Sequence, residues 1–138
     1  MYPDRRSKLL AFTCVFFLSI DWLIFGSMHF LFKGATIAQI PPYIPFKGAI
    51  AAVTGVIEVA IGLLVLVPQT RRGAALVSLF LIIMYVPAVY HMLSSESALA
   101  MSPGLQSFFR AFLIPHNLLL ALASLYLLRC EKRNGSLF

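Results

Sequence analysis

The sequence predicts an all-α integral membrane protein. The expected form is a four-helix bundle with both termini cytoplasmic and a proline-rich outer loop between helices one and two. Three observations predict it. The 138-residue chain is 60% hydrophobic, with mean hydropathy +0.89 and 12% charged residues, where a soluble domain would carry about a quarter. Four apolar runs, 9–32, 47–67, 73–93 and 107–128, are each long enough to cross ~30 Å of hydrocarbon at ~1.5 Å per residue. The basic residues fall unevenly on the two sides of such a bundle. The length suits one domain over 1–138.

The first run follows Arg5, Arg6 and Lys8, which resemble the basic start of a secretory signal. The run is too long for that, Asp21 interrupts it, and no small-x-small site follows. A retained helix is expected. The connection GATIAQIPPYIPFKG comes next, with three prolines among bulky apolar residues. Proline removes a backbone donor and clashes with the preceding turn, so the segment is expected to avoid regular helix. It should lie on the outer surface or fold back as a lid, with Tyr43 and Phe46 as interfacial anchors.

The second run, 47–67, enters from the outer side. PQTRRG reads as a tight turn in which Pro68 ends the second helix and Gly73 opens the third. In the third run Pro87 sits one turn before His91 and is expected to bend the helix. SSESALAMSPGLQS is more polar and reads as flexible. The fourth run holds Pro115 directly before His116.

Orientation follows from charge. Arg5, Arg6, Lys8, Arg71, Arg72, Arg129, Lys132 and Arg133 share one side, and only Lys33, Lys47 and Arg110 the other. Basic excess marks the cytoplasmic face. The net charge of +6 is then accounted for by topology and by attraction to anionic lipid, and nucleic acid is not expected as a partner. Cys14 and Cys130 fall near the cytoplasmic face, where thiols stay reduced, without metal-like spacing. No phosphate loop, GxGxxG or serine-hydrolase elbow appears.

The informative residues are polar ones at membrane depth. Glu58 lies ~16 Å below Lys47 and Asp21 ~18 Å above Leu9, both near the midplane. His116 and Asn117 lie ~13–15 Å below the outer surface. His29, Tyr85 and His91 belong to the outer half. Asp21, Phe25 and His29 share one helical stripe, as do Thr54, Glu58 and Gly62. Gly55 and Gly62 permit close helix approach. A buried Glu58 can act as interhelical glue. An intramembrane ionisable group is by default a functional-site hypothesis, and two carboxylates with three histidines strengthen it. Glu58 and His116 are the candidate catalytic residues. Asp21, Phe25, His29, Thr54, Tyr85, His91 and Asn117 are the candidate substrate-binding residues, around a pocket open to the outer side.

Several short motifs recur in order: Gly26 with His29-Phe30, Pro41-Pro42-x-x-Pro45, TGVIE at 54–58, Gly62 with LLVLVPQTRR, and VPA at 86–88. This series, from about residue 16 to 125, resembles the DoxX family of small four-helix membrane proteins. Two departures alter the polar lining. Val89 stands where the family often has Asn, and His116-Asn117 replaces the usual Gln after a proline in helix four. The resemblance implies a multi-pass protein of a bacterial or archaeal plasma membrane, since the family takes its name from a small subunit of a thiosulfate:quinone oxidoreductase. Other members are linked to redox and thiol stress. The fold also looks similar to the sterol-isomerase group, whose buried carboxylates bind lipophilic cations.

Three function classes follow. In the first, the protein is a small subunit or accessory of a membrane redox system and binds a quinone-like lipophile in the outer-half pocket. In the second it is a stand-alone binder of a lipophilic small molecule, or an isomerase-like enzyme with Glu58 as acid/base. The third, a haem or metal anchor through His29 and His91, is disfavoured because no local ligand motif accompanies them. Membrane lipids, a redox enzyme partner and a second copy of the chain are the expected contacts.

Overall fold

A computed structural model describes residues 5–95 and 103–134. Among the described residues six helices follow one another: α1 (Arg5–Leu31), α2 (Lys33–Gln39), α3 (Lys47–Leu64), α4 (Pro68–Met84), α5 (Val86–Ser94) and α6 (Pro103–Asn134). No strand occurs among the described residues. Among the described residues four segments are long and apolar enough to cross a membrane: Arg5–Leu31, Lys47–Leu64, Pro68–Ser94 and Gln106–Cys130. The third combines α4 and α5. Many large apolar side chains face outward, among them Phe80, Ile83, Phe108 and Leu118. In water such a surface would be an aggregation liability; against lipid it is the expected exterior.

The strongest packing joins α1 to α3, followed by α4 to α6 and α1 to α6. Glycines set the α1–α3 contact. A Cβ on Gly55 would stand 2.6 Å from the His29 Cβ, and one on Gly62 2.7 Å from the Leu23 Cγ. A Cβ on Gly26 would stand 2.8 Å from the Val59 backbone nitrogen. These three pairs fix an antiparallel register in which Gly26 faces Glu58 and His29 faces Gly55.

Buried polar groups also join the middle of α1 to its neighbours. Ser19 donates to the Gly62 carbonyl at 2.8 Å. The Trp22 indole donates to Ser78 Oγ at 3.0 Å, and Ser78 pairs with Ser124 at 3.0 Å. Helices α1, α4 and α6 are thus joined by hydrogen bonds within a core of Leu18, Trp22, Ile61, Ala75, Leu120 and Leu127. Cys14 and Cys130 are free thiols packed at the edge of that core.

Two connections differ from the sequence expectation. Helix is not excluded from GATIAQIPPYIPFKG: α2 occupies its first part. The prolines begin only at Pro41, so GATIAQ keeps every backbone donor and the helix ends just before them, as X-Pro steric restriction requires. The α2 helix packs against α1, α3 and α5. Downstream, Phe46 adopts a left-handed backbone with φ 53, and Lys47 Nζ closes the segment on the Ile40 carbonyl at 2.9 Å.

At PQTRRG, Pro68 starts α4 instead of ending the preceding helix, and Gly73 lies inside α4. A first-turn proline loses no hydrogen bond, because that N–H is unpaired in any helix. The reversal is residues 65–67. Thr70 Oγ1 donates to the Leu64 carbonyl at 2.7 Å. Arg71, 3% exposed, donates to the Val65 and Leu66 carbonyls at 3.0 and 3.2 Å. These bonds satisfy carbonyls that a helix C-terminus leaves open, so Arg71 serves the turn as well as the charge pattern.

The break expected from Pro87 is present: α4 ends at Met84, Tyr85 forms the joint and α5 begins at Val86. Pro115 lies within α6 without interrupting it. The predicted polar connection 94–107 has its middle, 96–102, outside the described residues.

Candidate functional site

The candidate residues separate into two clusters. The first is centred on Glu58, 2% exposed on α3. The joint between α4 and α5 turns Tyr85 toward it, and the Tyr85 hydroxyl donates to Glu58 Oε1. From α1, His29 brings Nε2 to 3.4 Å from Glu58 Oε2. Glycine at 55 makes room for that imidazole. The other ring nitrogen, Nδ1, donates to the Ala51 carbonyl at 2.7 Å and lies 3.3 Å from Thr54 Oγ1. The Thr54 hydroxyl donates back to the Ile50 carbonyl at 2.8 Å.

This geometry fixes the tautomer of the neutral His29 ring. A carbonyl only accepts, so His29 Nδ1 carries hydrogen. In the neutral ring Nε2 is then an acceptor facing a carboxyl oxygen. The 3.4 Å contact is an ion pair when the ring is protonated and is not a hydrogen bond in this geometry, while Tyr85 donates to the other oxygen of the carboxyl.

The second cluster joins α1 to α6. His116 Nε2 meets Asp21 Oδ1 at 2.7 Å, with both side chains 11% exposed. Phe25 lies with its ring centroid 5.2 Å from that of His116, and Phe112 stacks on it at 4.9 Å. Phe108 stacks on Phe112 at 6.3 Å. Asp21 Oδ2 and Glu58 Oε2 are buried oxygens without a hydrogen-bond partner among the described residues.

Asp21 and Glu58, expected at one level, are offset. Gly26 faces Glu58, so Asp21 lies five residues nearer the α1 N-terminus, about 7.5 Å along the axis. The expected meeting of Glu58 with His116 is replaced by two separate histidine–carboxylate pairs. Phe25 goes with His116, and Thr54 and Tyr85 with Glu58. Asn117 donates to the Leu113 carbonyl of its own helix at 2.8 Å. The half-buried His91 enters neither cluster among the described residues. A shallow apolar hollow lined by Leu23, Ser27, Met28 and Phe32 contains none of the candidates. No group of three or more His, Cys, Asp or Glu among the described residues is arranged to hold a metal ion.

Sequence reasoning missed Phe112 and Phe108. The available signal was their spacing of four from each other and from His116, which puts all three on one face of α6.

Residues 18–127 match the family model described as Domain of unknown function (DUF8561), and the chain belongs to that family. No curated protein and no solved structure matches the chain.

Proposed function

We propose that this chain is a multi-pass membrane protein that exchanges protons with an oxygen-bearing lipophile of quinone type, as a small accessory of a membrane redox system. The observation that carries the reading is Glu58, buried at the centre of an apolar helix between a tyrosine donor and the basic nitrogen of a tautomer-locked histidine. Structural glue needs a hydrogen-bonding group there and no ionisable one. A carboxyl and an imidazole acceptor side by side, able to pass a proton to a bound ligand, are what general acid–base work requires. The resemblance of the motifs to those of the DoxX family supports the redox setting, in which a partner enzyme supplies electrons.

The test is Glu58→Gln. The amide oxygen accepts from Tyr85 and the amide N–H₂ donates to His29 Nε2, so the cluster stays bonded while its exchangeable proton is gone. Quinone-linked proton uptake, measured in membranes containing the partner enzyme, should fall by about a hundredfold or more, the scale of removing a general acid. Wild-type uptake with the substituted protein rejects the reading. A stand-alone isomerase-like enzyme is the second reading, favoured by the Tyr85 hydroxyl on Glu58, an acid pair suited to moving a proton on carbon. It requires activity from the purified chain alone.

The bundle is read as N-in and C-in, with α2 and Pro41–Phe46 covering the outer ends of the spans. The eight-to-three division of basic residues supports this. A cysteine placed at the exposed Gln69 should resist an impermeant maleimide in intact cells and react after permeabilisation. Labelling in intact cells reverses the orientation.

A further inference from the structure

Asp21 and His116 form a pair whose polarity is opposite to that of the Glu58 pair. In the Glu58 cluster the histidine directs its acceptor nitrogen at the carboxyl, because a backbone carbonyl holds the other. In the Asp21 pair, Nε2 and a carboxylate oxygen are 2.7 Å apart. That distance fits an N–H donated to the carboxylate. The Nδ1 lone pair of His116 is then directed away from the protein's own acid. No hydrogen bond among the described residues engages it. A carboxylate that fixes one ring nitrogen makes the other a better acceptor and holds the ring in place.

The surroundings of that nitrogen are aromatic. Phe25 flanks the imidazole from α1, and Phe112 stacks on it from α6. Phe112 is 42% exposed and Phe108 65% exposed. The three rings of α6 step by four residues, from the lipid-facing surface to the buried dyad. Asp21 Oδ2 is a second acceptor, buried and without a partner among the described residues.

From this arrangement we propose that Asp21, His116, Phe25, Phe112 and Phe108 form a lipid-facing binding site between α1 and α6 for a lipid-soluble phenol or quinol. The ligand O–H donates to His116 Nδ1, the ligand ring packs against Phe112, and its tail runs along Phe108 into the bilayer. The chemistry selects this class. An acceptor nitrogen requires a donor on the ligand, stacked rings favour a planar aromatic head, and entry from lipid requires an apolar tail. Quinones, which lack the O–H, lose the main polar contact, so the site discriminates quinol from quinone. A site that hydrogen-bonds a substrate O–H rejects analogues lacking it, because its own polar group is left unpaired. The choice of a quinol rests on the reading of Glu58; the acceptor site does not.

The experiment uses the full chain in lipid nanodiscs with 15N-labelled histidine. The chain has three histidines, so each resonance is assignable by single substitution. The probes are decylubiquinol kept reduced and its dimethyl ether, which has the ring and tail without the O–H. Quinol should shift the His116 Nδ1 resonance, and the ether should not. His116→Leu and Phe112→Ala should each weaken quinol binding about tenfold or more, the loss of one good contact. Phe112→Ala removes a partly exposed ring, so it tests the site even if His116→Leu fails to fold. Gly34→Ala, on α2 with nothing within 4 Å of an added Cβ, should bind quinol within about twofold of wild type. Equal binding of quinol and ether overturns the proposal, as does binding within about twofold in both variants. A quinol shift at His29 with none at His116 also overturns it and leaves the Glu58 reading standing. Undiminished proton uptake in Glu58→Gln with lost binding in His116→Leu removes the Glu58 reading and leaves this site.

Discussion

Gly26→Leu should cost the protein about 3 kcal/mol or more, enough to unfold a large fraction of a marginally stable fold. A Cβ at this position meets the Val59 backbone nitrogen at 2.8 Å and the Glu58 Cβ at 2.9 Å. A side-chain end could rotate away, but backbone cannot, so α3 as a whole must move off α1. That motion opens the most extensively packed helix pair among the described residues. It also carries Glu58 away from His29, whose contact is already 3.4 Å. Stability in detergent, measured by chemical or thermal denaturation, should fall sharply. Gly34→Ala and Gly73→Ala are the controls, because nothing lies within 4 Å of a Cβ at either. Both glycines sit inside helices, so alanine there should be neutral or stabilising by up to ~1 kcal/mol. Equal stability of Gly26→Leu and Gly34→Ala would refute the close-approach account.

The same glycines explain what the sequence could and could not convey. Four long apolar runs and the position of Pro87 were enough to place the four long apolar segments and to expect a bend in the third, because those features depend on local composition. Gly55 and Gly62 announced a close helix neighbour. They did not say which residues would meet, since register is a property of two helices at once. Counting depth from run ends placed Asp21 level with Glu58. The α1 helix begins at Arg5, four residues before the apolar run, and the Gly26–Glu58 contact sets the actual offset. An error of one turn is enough to exchange partners, and it moved His116 from Glu58 to Asp21. The α2 helix was missed for another reason. Proline restricts the residue directly before it and cannot continue the helix, and the influence of Pro41 was extended over the whole of GATIAQ, where α2 keeps its backbone donors. The buried serines of α1, α4 and α6 gave no signal, because isolated serine in an apolar helix reads the same whether it faces lipid or a neighbour. Arg71 was counted as a surface charge, yet its guanidinium fills the turn it follows.

Glu58→Leu should destabilise the protein by about 2–4 kcal/mol, whereas Glu58→Gln should remain within about 1 kcal/mol of wild type. Leucine leaves the Tyr85 hydroxyl without its acceptor and His29 Nε2 facing hydrocarbon. Each orphaned buried group costs roughly 1–3 kcal/mol. Burial of the carboxyl is itself costly, and its removal offsets part of the loss. The sign is decided by what stays behind. Taking one member from a buried polar set is destabilising, while replacing the whole set by apolar groups is often neutral. The combination Glu58→Leu, His29→Leu and Tyr85→Phe should therefore recover most of the stability lost by Glu58→Leu alone. Denaturation of the three proteins in one detergent checks the order. If Glu58→Leu matches wild type, the cluster does not hold α1, α3 and the α4–α5 joint together. If the apolar triple is as stable as wild type, the fold has no structural need for these three polar side chains, and proton exchange accounts for a carboxyl at the centre of α3.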